Sequence, residues 1–340
     1  MTVRVGVIGT GMIGQDHVRR ITHVLPGGTV VAVTDVDAAR AGQVAAGLPG
    51  ATVYPDAAGL IAAAEVDAVL VASWGQAHED QVLAAIAAGK PVFCEKPLAP
   101  TGEACLRIME AEMAAGRRLV QVGFMRRYDA GYRALKAAVD GGSIGAPLLM
   151  HCAHRNPSVP PYGFGTEMSI TDSAVHEIDL VRWLFGEEIA AVGVLRPRRT
   201  ARAPAGLDDP LVVLLEMASG ILVDVEVFVT AGYGYDIRGE VVGETGTAAL
   251  ADPGQLAVSQ DGRRASRVPA DWRERFARAY DAELRAWLQA AALGGSAGPG
   301  SWDGYAAAAV TAGCLQALRT GRRTALTLPE RPDFYAKEQA

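Results

Sequence analysis

"VRVGVIGTGMIG", Val3 to Gly14, is the stretch whose reading decides the fold. An apolar run, Val3 to Ile8, passes without a break into Gly9-Thr10-Gly11-Met12-Ile13-Gly14, and Gln15 to Val24 then reads as helix. A lone GxGxxG says little. Here it follows a strand, opens a helix and is answered about 20 residues later by an acid, Asp35, at the end of a second strand "TVVAVTDVD" (Thr29 to Asp37), which is the context that a dinucleotide fingerprint needs. The glycines of the turn let helix N-terminal amides approach a pyrophosphate, where the helix dipole favours negative charge. Gly9, Gly11, Met12, Ile13 and Gly14 are therefore expected at a cofactor. Asp35 is placed to accept from the adenosine ribose 2′-hydroxyl and to repel a 2′-phosphate. No arginine stands directly beside it in sequence, the nearest being Arg40, so NAD is expected over NADP.

The same alternation continues outward. Helix near Asp37 to Ala46, strand "ATVY", helix near Asp56 to Ala64, strand "VDAVLVAS", helix near Glu79 to Ala88, strand "PVFCE", helix near Thr101 to Ala115 and strand "RLVQVGF" follow in order. Continuous Val-rich strands alternating with helices predict a parallel sheet covered on both faces. From "LLMHCAHRNP" onward the strands lengthen and join by turns, with helices expected at Thr171 to Phe185, Ala270 to Leu293 and Ser301 to Arg319. In Ile221 to Val229 the odd positions are all apolar, while Leu222, Asp224, Glu226 and Phe228 alternate with them, so one sheet face is buried and the other mixed. The expected fold class is α/β: a Rossmann-type doubly wound parallel sheet over residues 1–123, for the cofactor. An α+β domain with a large, mostly antiparallel sheet is expected over 124–340, for substrate and oligomerisation.

Bulk composition narrows the partners. The 340 residues are 50% hydrophobic and 21% charged, with a net charge of −6, which argues against nucleic acid or an anionic membrane as the main partner. No run of apolar residues has transmembrane length. The opening residues enter a strand directly and do not form a signal-peptide h-region, and Cys94, Cys105, Cys152 and Cys314 show no CxxC spacing, so a cytoplasmic protein with reduced thiols is expected.

Ligands of open α/β sheets bind outside the carboxyl ends of the strands. Ser73, Trp74 and His78, at and just after the fourth strand, and Glu95-Lys96-Pro97 at the end of the fifth are thus expected beside the cofactor. Pro97 restricts Lys96 to an extended backbone and can form a cis peptide. Position alone leaves Lys96 equally able to reach solvent. In "SITDSAVHEIDLVRWLFG" (Ser169 to Gly186), Asp172, His176 and Asp179 fall at i, i+4 and i+7 on one helical stripe, away from the sector of Val175, Ile178 and Val181. A histidine between two carboxylates suits proton transfer. A lysine and a histidine sharing one hydroxyl could take its proton while hydride leaves the carbon. Strand alternation separates Cys152, His154 and Asn156 from His151 and Arg155, so no zinc site is expected there. The GxSxG and HExxH hydrolase signatures do not occur.

"CEKP" after a Rossmann domain, with Asp172-x3-His176-x2-Asp179, resembles the glucose–fructose oxidoreductase/inositol dehydrogenase/MocA family. "LVQVGFMRRYDAGY", "HCAHRNP", "VHEID", "GYDI" and "SWDGY" resemble its inositol branch over nearly the whole chain. The resemblance implies oxidation of myo-inositol at its axial hydroxyl to 2-keto-myo-inositol, with NAD as hydride acceptor. It implies Lys96, Asp172 and His176 as the catalytic trio, and Glu95 and Trp272 near the nicotinamide. Met125, Arg126, His154, Asn156, Asp179, Tyr235 and Tyr280 are implied at the polyol, in a homotetramer built through the open face of the second sheet. Gln76 and Ser173 depart from the residues usual in relatives. The same chemistry on scyllo-inositol, D-chiro-inositol, an aminocyclitol or an aldose is the neighbouring reading, and a non-catalytic NAD(H) sensor the reading from another class.

Overall fold

A computed structural model describes residues 2–160, 163–251 and 257–336. The chain runs through β1 (Val3–Ile8), α1 (Met12–His23), β2 (Gly28–Thr34), α2 (Ala38–Ala46), β3 (Thr52–Val53), α3 (Ala57–Ala62), β4 (Ala68–Val71), α4 (His78–Ala87), β5 (Val92–Glu95), α5 (Gly102–Ala114) and β6 (Val120–Gly123). These strands form one parallel sheet in the order β3-β2-β1-β4-β5-β6, the doubly wound arrangement read from the sequence. β1, β4 and β5 are central and almost wholly buried, as expected of strands covered on both faces. Asp37, Asp56 and Thr101 accept backbone N–H bonds as N-caps of α2, α3 and α5, which is why these helices begin where they do.

The chain then continues through α6 (Ala130–Asp140), β7 (Pro147–Arg155), a π-helical segment Ser169–Ala174, α7 (Val175–Phe185), β8 (Ile189–Leu195), β9 (Leu211–Met217), β10 (Leu222–Phe228), β11 (Asp236–Gly243) and β12 (Thr247–Ala249). After the hairpin β13 (Ala257–Gln260) and β14 (Arg263–Ser266) come α8 (Trp272–Arg275), α9 (Ala277–Ala291), α10 (Ser301–Thr320), β15 (Thr324–Ala325) and α11 (Asp333–Ala336). The second sheet has the order β12-β11-β7-β10-β9-β8-β15. Its pairs are antiparallel except β10 with β7. Val223, Val225 and Val227 are fully buried, whereas Leu222, Asp224, Glu226 and Phe228 are not.

Two expected helices differ in detail. The helix expected over Thr171 to Phe185 is a π-helical turn followed by an α-helix, and the one expected over Ala270 to Leu293 breaks at Phe276 into α8 and α9. Phe276 is fully buried, with the guanidinium groups of Arg126 and Arg275 at 5.6 Å and 4.4 Å from its ring centre.

The chain groups into two compact units: Met1–Phe124 with Tyr280–Ala308 and Pro329–Ala340, and Met125–Ala279 with Ala309–Leu328. Two later stretches of chain thus belong with the parallel sheet. Leu284, Trp287, Leu288 and Ala291 of α9 complete the apolar core of Val5, Val7, Val33 and Phe93. Glu112 of α5, completely buried, accepts from the amides of Leu119 and Val120, from Ser301 Oγ at 2.8 Å and from Tyr335 OH at 2.9 Å. Burial raises its pKa, opposed by those four donors.

Candidate active site

The first unit builds a cofactor cradle. Gly9 has φ +93°, and a Cβ there would lie 2.5 Å from the Ser73 amide nitrogen; a Cβ at Gly14 would collide with Gly9 O, whereas one at Gly11 would meet nothing. The first two glycine requirements come from packing, and the third position leaves room in front of the helix. Gly11 N-caps α1 with no side-chain hydrogen bond, and the first turn carries no acidic residue, so the free amides of that turn suit a diphosphate. Met12 and Val36 are exposed, and Trp74 is 79% exposed beyond β4.

Asp35 is more heavily engaged than the sequence suggests. Its Oδ2 accepts from Thr10 N at 2.6 Å and Thr10 Oγ1 at 3.0 Å, and its Oδ1 from the Asp37 amide. Arg40, the nearest arginine in sequence, lies on the same carboxylate, with Nη2 2.6 Å from Oδ1. One helical turn of α2 carries Arg40 back over the strand end, which linear spacing does not reveal. Burial would raise the Asp35 carboxyl, but Arg40 and the amides of Asp37 and Thr10 hold it down to about 2.

Replacing Asp35 by Ser should release Arg40 to a 2′-phosphate and raise the NADP/NAD ratio of kcat/KM by about 10- to 100-fold, the worth of one charge-assisted hydrogen bond. Steady-state kinetics with both cofactors checks this, and the additional change Arg40→Met should remove the gain.

Glu95 ends β5, Lys96 follows it, and the Lys96–Pro97 peptide is cis. Glu95 is buried, its Oε1 2.7 Å from His17 Nε2 and its Oε2 3.3 Å from the Lys96 amide. His78 is buried, and both ring nitrogens lie on backbone carbonyls, Pro97 O at 2.7 Å and Ser73 O at 3.0 Å. Gln76 is exposed. Tyr280 packs on His17 and lies under the Arg20 guanidinium in this unit.

The second unit holds a buried polar cluster. Arg126 and Glu177, each about 1% exposed at the side chain, form an ion pair, and His154 Nδ1 lies 3.0 Å from Glu177 Oε2. Burial would raise the Glu177 carboxyl; the Arg126 charge and His154 hold it down to about 2. Nδ1 of His154 thus faces both the Glu177 carboxylate and Arg126 Nη2, the latter at 3.1 Å, and the ring is held by that pair. The His154 ring stacks with His176 at 6.3 Å and meets Tyr235 edge-on at 6.1 Å.

Asp179 is held by Arg127 through Nε at 2.9 Å and Nη2 at 2.5 Å. Met125 and Tyr235 are buried. Asn156 is half-buried and its Oδ1 has no hydrogen-bond partner among the described residues. Trp272 opens α8, with Arg273 over its ring.

Asp172 is exposed and belongs to the π-helical turn, whereas His176 and Asp179 belong to α7, which is buried at nearly every position. The simple i, i+4, i+7 stripe therefore does not hold, because a π turn takes more residues per revolution than an α turn, and π turns occur often at functional sites. Glu177 escaped the sequence reading because the Asp-x3-His-x2-Asp spacing steps over it. The only available signal was an acid among apolar helix residues, which requires a buried cation such as Arg126. Among the described residues no group of three or more His, Cys, Asp or Glu side chains is placed to hold a metal ion, and no helix is long and apolar enough to cross a membrane. The four cysteines are buried and unpaired.

Residues 3–124 match the oxidoreductase family's NAD-binding Rossmann fold, and residues 136–326 its C-terminal alpha/beta domain. The chain belongs to the Gfo/Idh/MocA oxidoreductase family. It is 55% identical to "Inositol 2-dehydrogenase 3" of Saccharopolyspora erythraea, with 98% of each chain covered. To "Inositol 2-dehydrogenase" of Pseudomonas fluorescens it is 55% identical, covering 99% of this chain and 100% of the relative. The crystal structure of myo-inositol dehydrogenase from Lactobacillus casei in complex with NAD(H) and myo-inositol superposes with a TM-score of 0.96 at 40% identity, covering 98% of this chain and 100% of that one. NAD is the cofactor that the matched domain binds, and the open N-terminus of α1 and the Asp35 carboxylate fit it.

Proposed function

We propose that the chain is an NAD-dependent inositol 2-dehydrogenase that oxidises the axial C2 hydroxyl of myo-inositol to 2-keto-myo-inositol. The observation that carries this reading is the near-complete likeness to the Lactobacillus casei enzyme crystallised with NAD(H) and myo-inositol. NAD, when bound, accepts the hydride from the carbinol carbon. The proton on the same hydroxyl goes to Lys96, working with His176 as one proton-accepting system, and Asp172 orients that pair.

The cyclitol is an uncharged ring of hydroxyls and needs acceptors as well as donors around it. His154 offers Nε2, because Glu177 and Arg126 occupy Nδ1. Asn156 offers an unpartnered Oδ1. Tyr235 contributes its hydroxyl, and Met125 and Tyr280 supply surface. Arg126 and Asp179 act one step removed, through Glu177 and His154 in one case and Arg127 in the other. On the cofactor side Glu95 and Trp272 are assigned to the nicotinamide end, and Trp74 to the cofactor. A wrong isomer would leave such buried groups unpaired, which is how axial and equatorial hydroxyls would be told apart.

The test is NADH formation by purified protein with NAD or NADP and a panel of myo-, scyllo- and D-chiro-inositol, glucose and xylose. Turnover of myo-inositol with NAD, above every other pair, is expected. Turnover confined to another polyol would redraw the substrate assignment, and tight NADH binding without turnover anywhere would make the protein a sensor.

The open face of the second sheet, with Leu222 exposed beside the ion pairs His151–Asp224 and Arg155–Glu226, supports a homotetramer built through that face. Sedimentation would show a tetramer, weakened by Leu222→Glu.

A further inference from the structure

Both neighbours of Lys96 are gripped by buried histidines that the reaction itself does not use. On the upstream side His17 of α1 is completely buried, with Nε2 2.7 Å from Glu95 Oε1. Its Nδ1 has no hydrogen-bond partner among the described residues. A lone pair on Nε2 facing a carboxylate at that distance would be repelled, so Nε2 carries a proton and donates it to Glu95. Phe93, 5.6 Å away edge-on, and Tyr280 wall in the ring. The other carboxylate oxygen, Oε2, accepts the Lys96 amide, and Gly123 makes room for it: a Cβ there would lie 3.1 Å from Oε2.

On the downstream side His78, the first residue of α4, reaches Pro97 O through Nδ1 at 2.7 Å and Ser73 O through Nε2 at 3.0 Å. Burial keeps its pKa below the ordinary value, and the contact to Pro97 O is the shorter of the two. Leu98, next in the chain, fills the notch at Gly304, where a Cβ would come within 2.6 Å of its own Cβ. Lys96 has four rotatable side-chain bonds. Its amine can be delivered to one point only if the backbone that carries it does not move, and a displacement of about 1 Å can cost about 10²-fold in rate.

We propose that His17 and His78 are positioning residues for Lys96, His17 acting through the Glu95 carboxylate and His78 through the Pro97 carbonyl. The proposal rests on the assignment of Lys96 as the proton acceptor. Neither histidine touches the reacting atoms in this scheme; each fixes one side of the residue that does.

The two rings allow a graded test, because glutamine places an amide N–H near the histidine Nε2 position and asparagine near Nδ1. His17→Leu should lower kcat for myo-inositol oxidation by about 10²-fold, with NADH affinity and KM changed by no more than about threefold, and His17→Gln should recover most of that loss. His78→Asn, which can still donate to Pro97 O, should retain far more turnover than His78→Gln, which can serve only Ser73 O. Thermal midpoints and NADH titrations of each variant are read alongside.

Equal losses in the two His17 variants, or losses that follow thermal midpoint alone, would overturn the proposal, as would full activity in His17→Leu. If His17→Leu does not fold, the His78 pair decides: equal turnover in His78→Asn and His78→Gln overturns it. Lys96→Met is assayed in parallel to separate the two levels. An active Lys96→Met would remove the assignment of Lys96 itself, whereas an inactive Lys96→Met with unimpaired histidine variants would remove only the positioning role.

Discussion

Replacing Lys96 by Met is expected to lower kcat by about 10³-fold while NADH still binds within about threefold of wild type, since general-base catalysis contributes roughly 10² to 10⁴. Methionine keeps the length and apolar stem of lysine and removes only the amine. The site is suited to this substitution, because the segment is held by backbone and neighbours: Glu95 before it, Pro97 after it and Leu98 against Gly304. The division between kinetic parameters distinguishes the possible roles. Were Lys96 only a ligand for a substrate hydroxyl, its loss would raise KM and spare kcat; loss of an interaction made at the transition state lowers kcat and kcat/KM together. Small primary amines added to Lys96→Ala offer a second readout, since an amine that enters the gap can accept the proton and recover part of the rate. Steady-state kinetics with NAD and myo-inositol, paired with an NADH titration, settles it.

The fold was largely legible because its signals are local and periodic. A Val-rich strand, a glycine turn and a helix repeat from Val3 to Gly123, and parallel order follows from that repetition. The alternation in Ile221 to Val229 likewise told which side of β10 is buried. The residues around Lys96 were legible in part, since Glu95-Lys96-Pro97 stands at a strand end and strand ends carry sites in such sheets. What escaped was whatever depends on partners distant in sequence. Arg40 looks remote from Asp35 until helix α2 folds it back. His17 lies 78 residues from Glu95, and nothing near it announces a carboxylate. Asp172 was read on an α-helical stripe with His176, and a π turn, which has no strong sequence signature, changes that phase. That later stretches complete the first unit was equally hidden, because an apolar face on α9 does not say which sheet it covers.

The second large effect concerns stability. Glu177→Ala is expected to destabilise the second unit by about 3–5 kcal/mol, the usual cost of stranding one partner of a buried pair. The side chain is completely buried, and its removal leaves Arg126, equally buried, with its charge uncompensated and His154 without its carboxylate. For a unit of this size that corresponds to a fall in thermal midpoint of about 10 °C. The double change Arg126→Met with Glu177→Leu should be much milder than the sum of the singles, since removing both charges removes the desolvation penalty as well.

The pH dependence has a definite sign. The folded-state pKa of Glu177 is depressed from its ordinary 4.5 to about 2, so its contribution is present above about pH 4.5. It is lost as pH falls from there toward 2, because the unfolded chain takes up the proton first. Glu177→Gln should therefore flatten the acid limb of the stability curve, whereas wild type loses stability steeply there; urea unfolding at a series of pH values measures both. Glu177→Gln should also raise KM for the polyol more than it lowers kcat. His154 would then lose the carboxylate that shares Nδ1 with Arg126 Nη2, and its ring would be held less firmly. One buried glutamate would then hold the unit together and, with it, the imidazole assigned to the substrate.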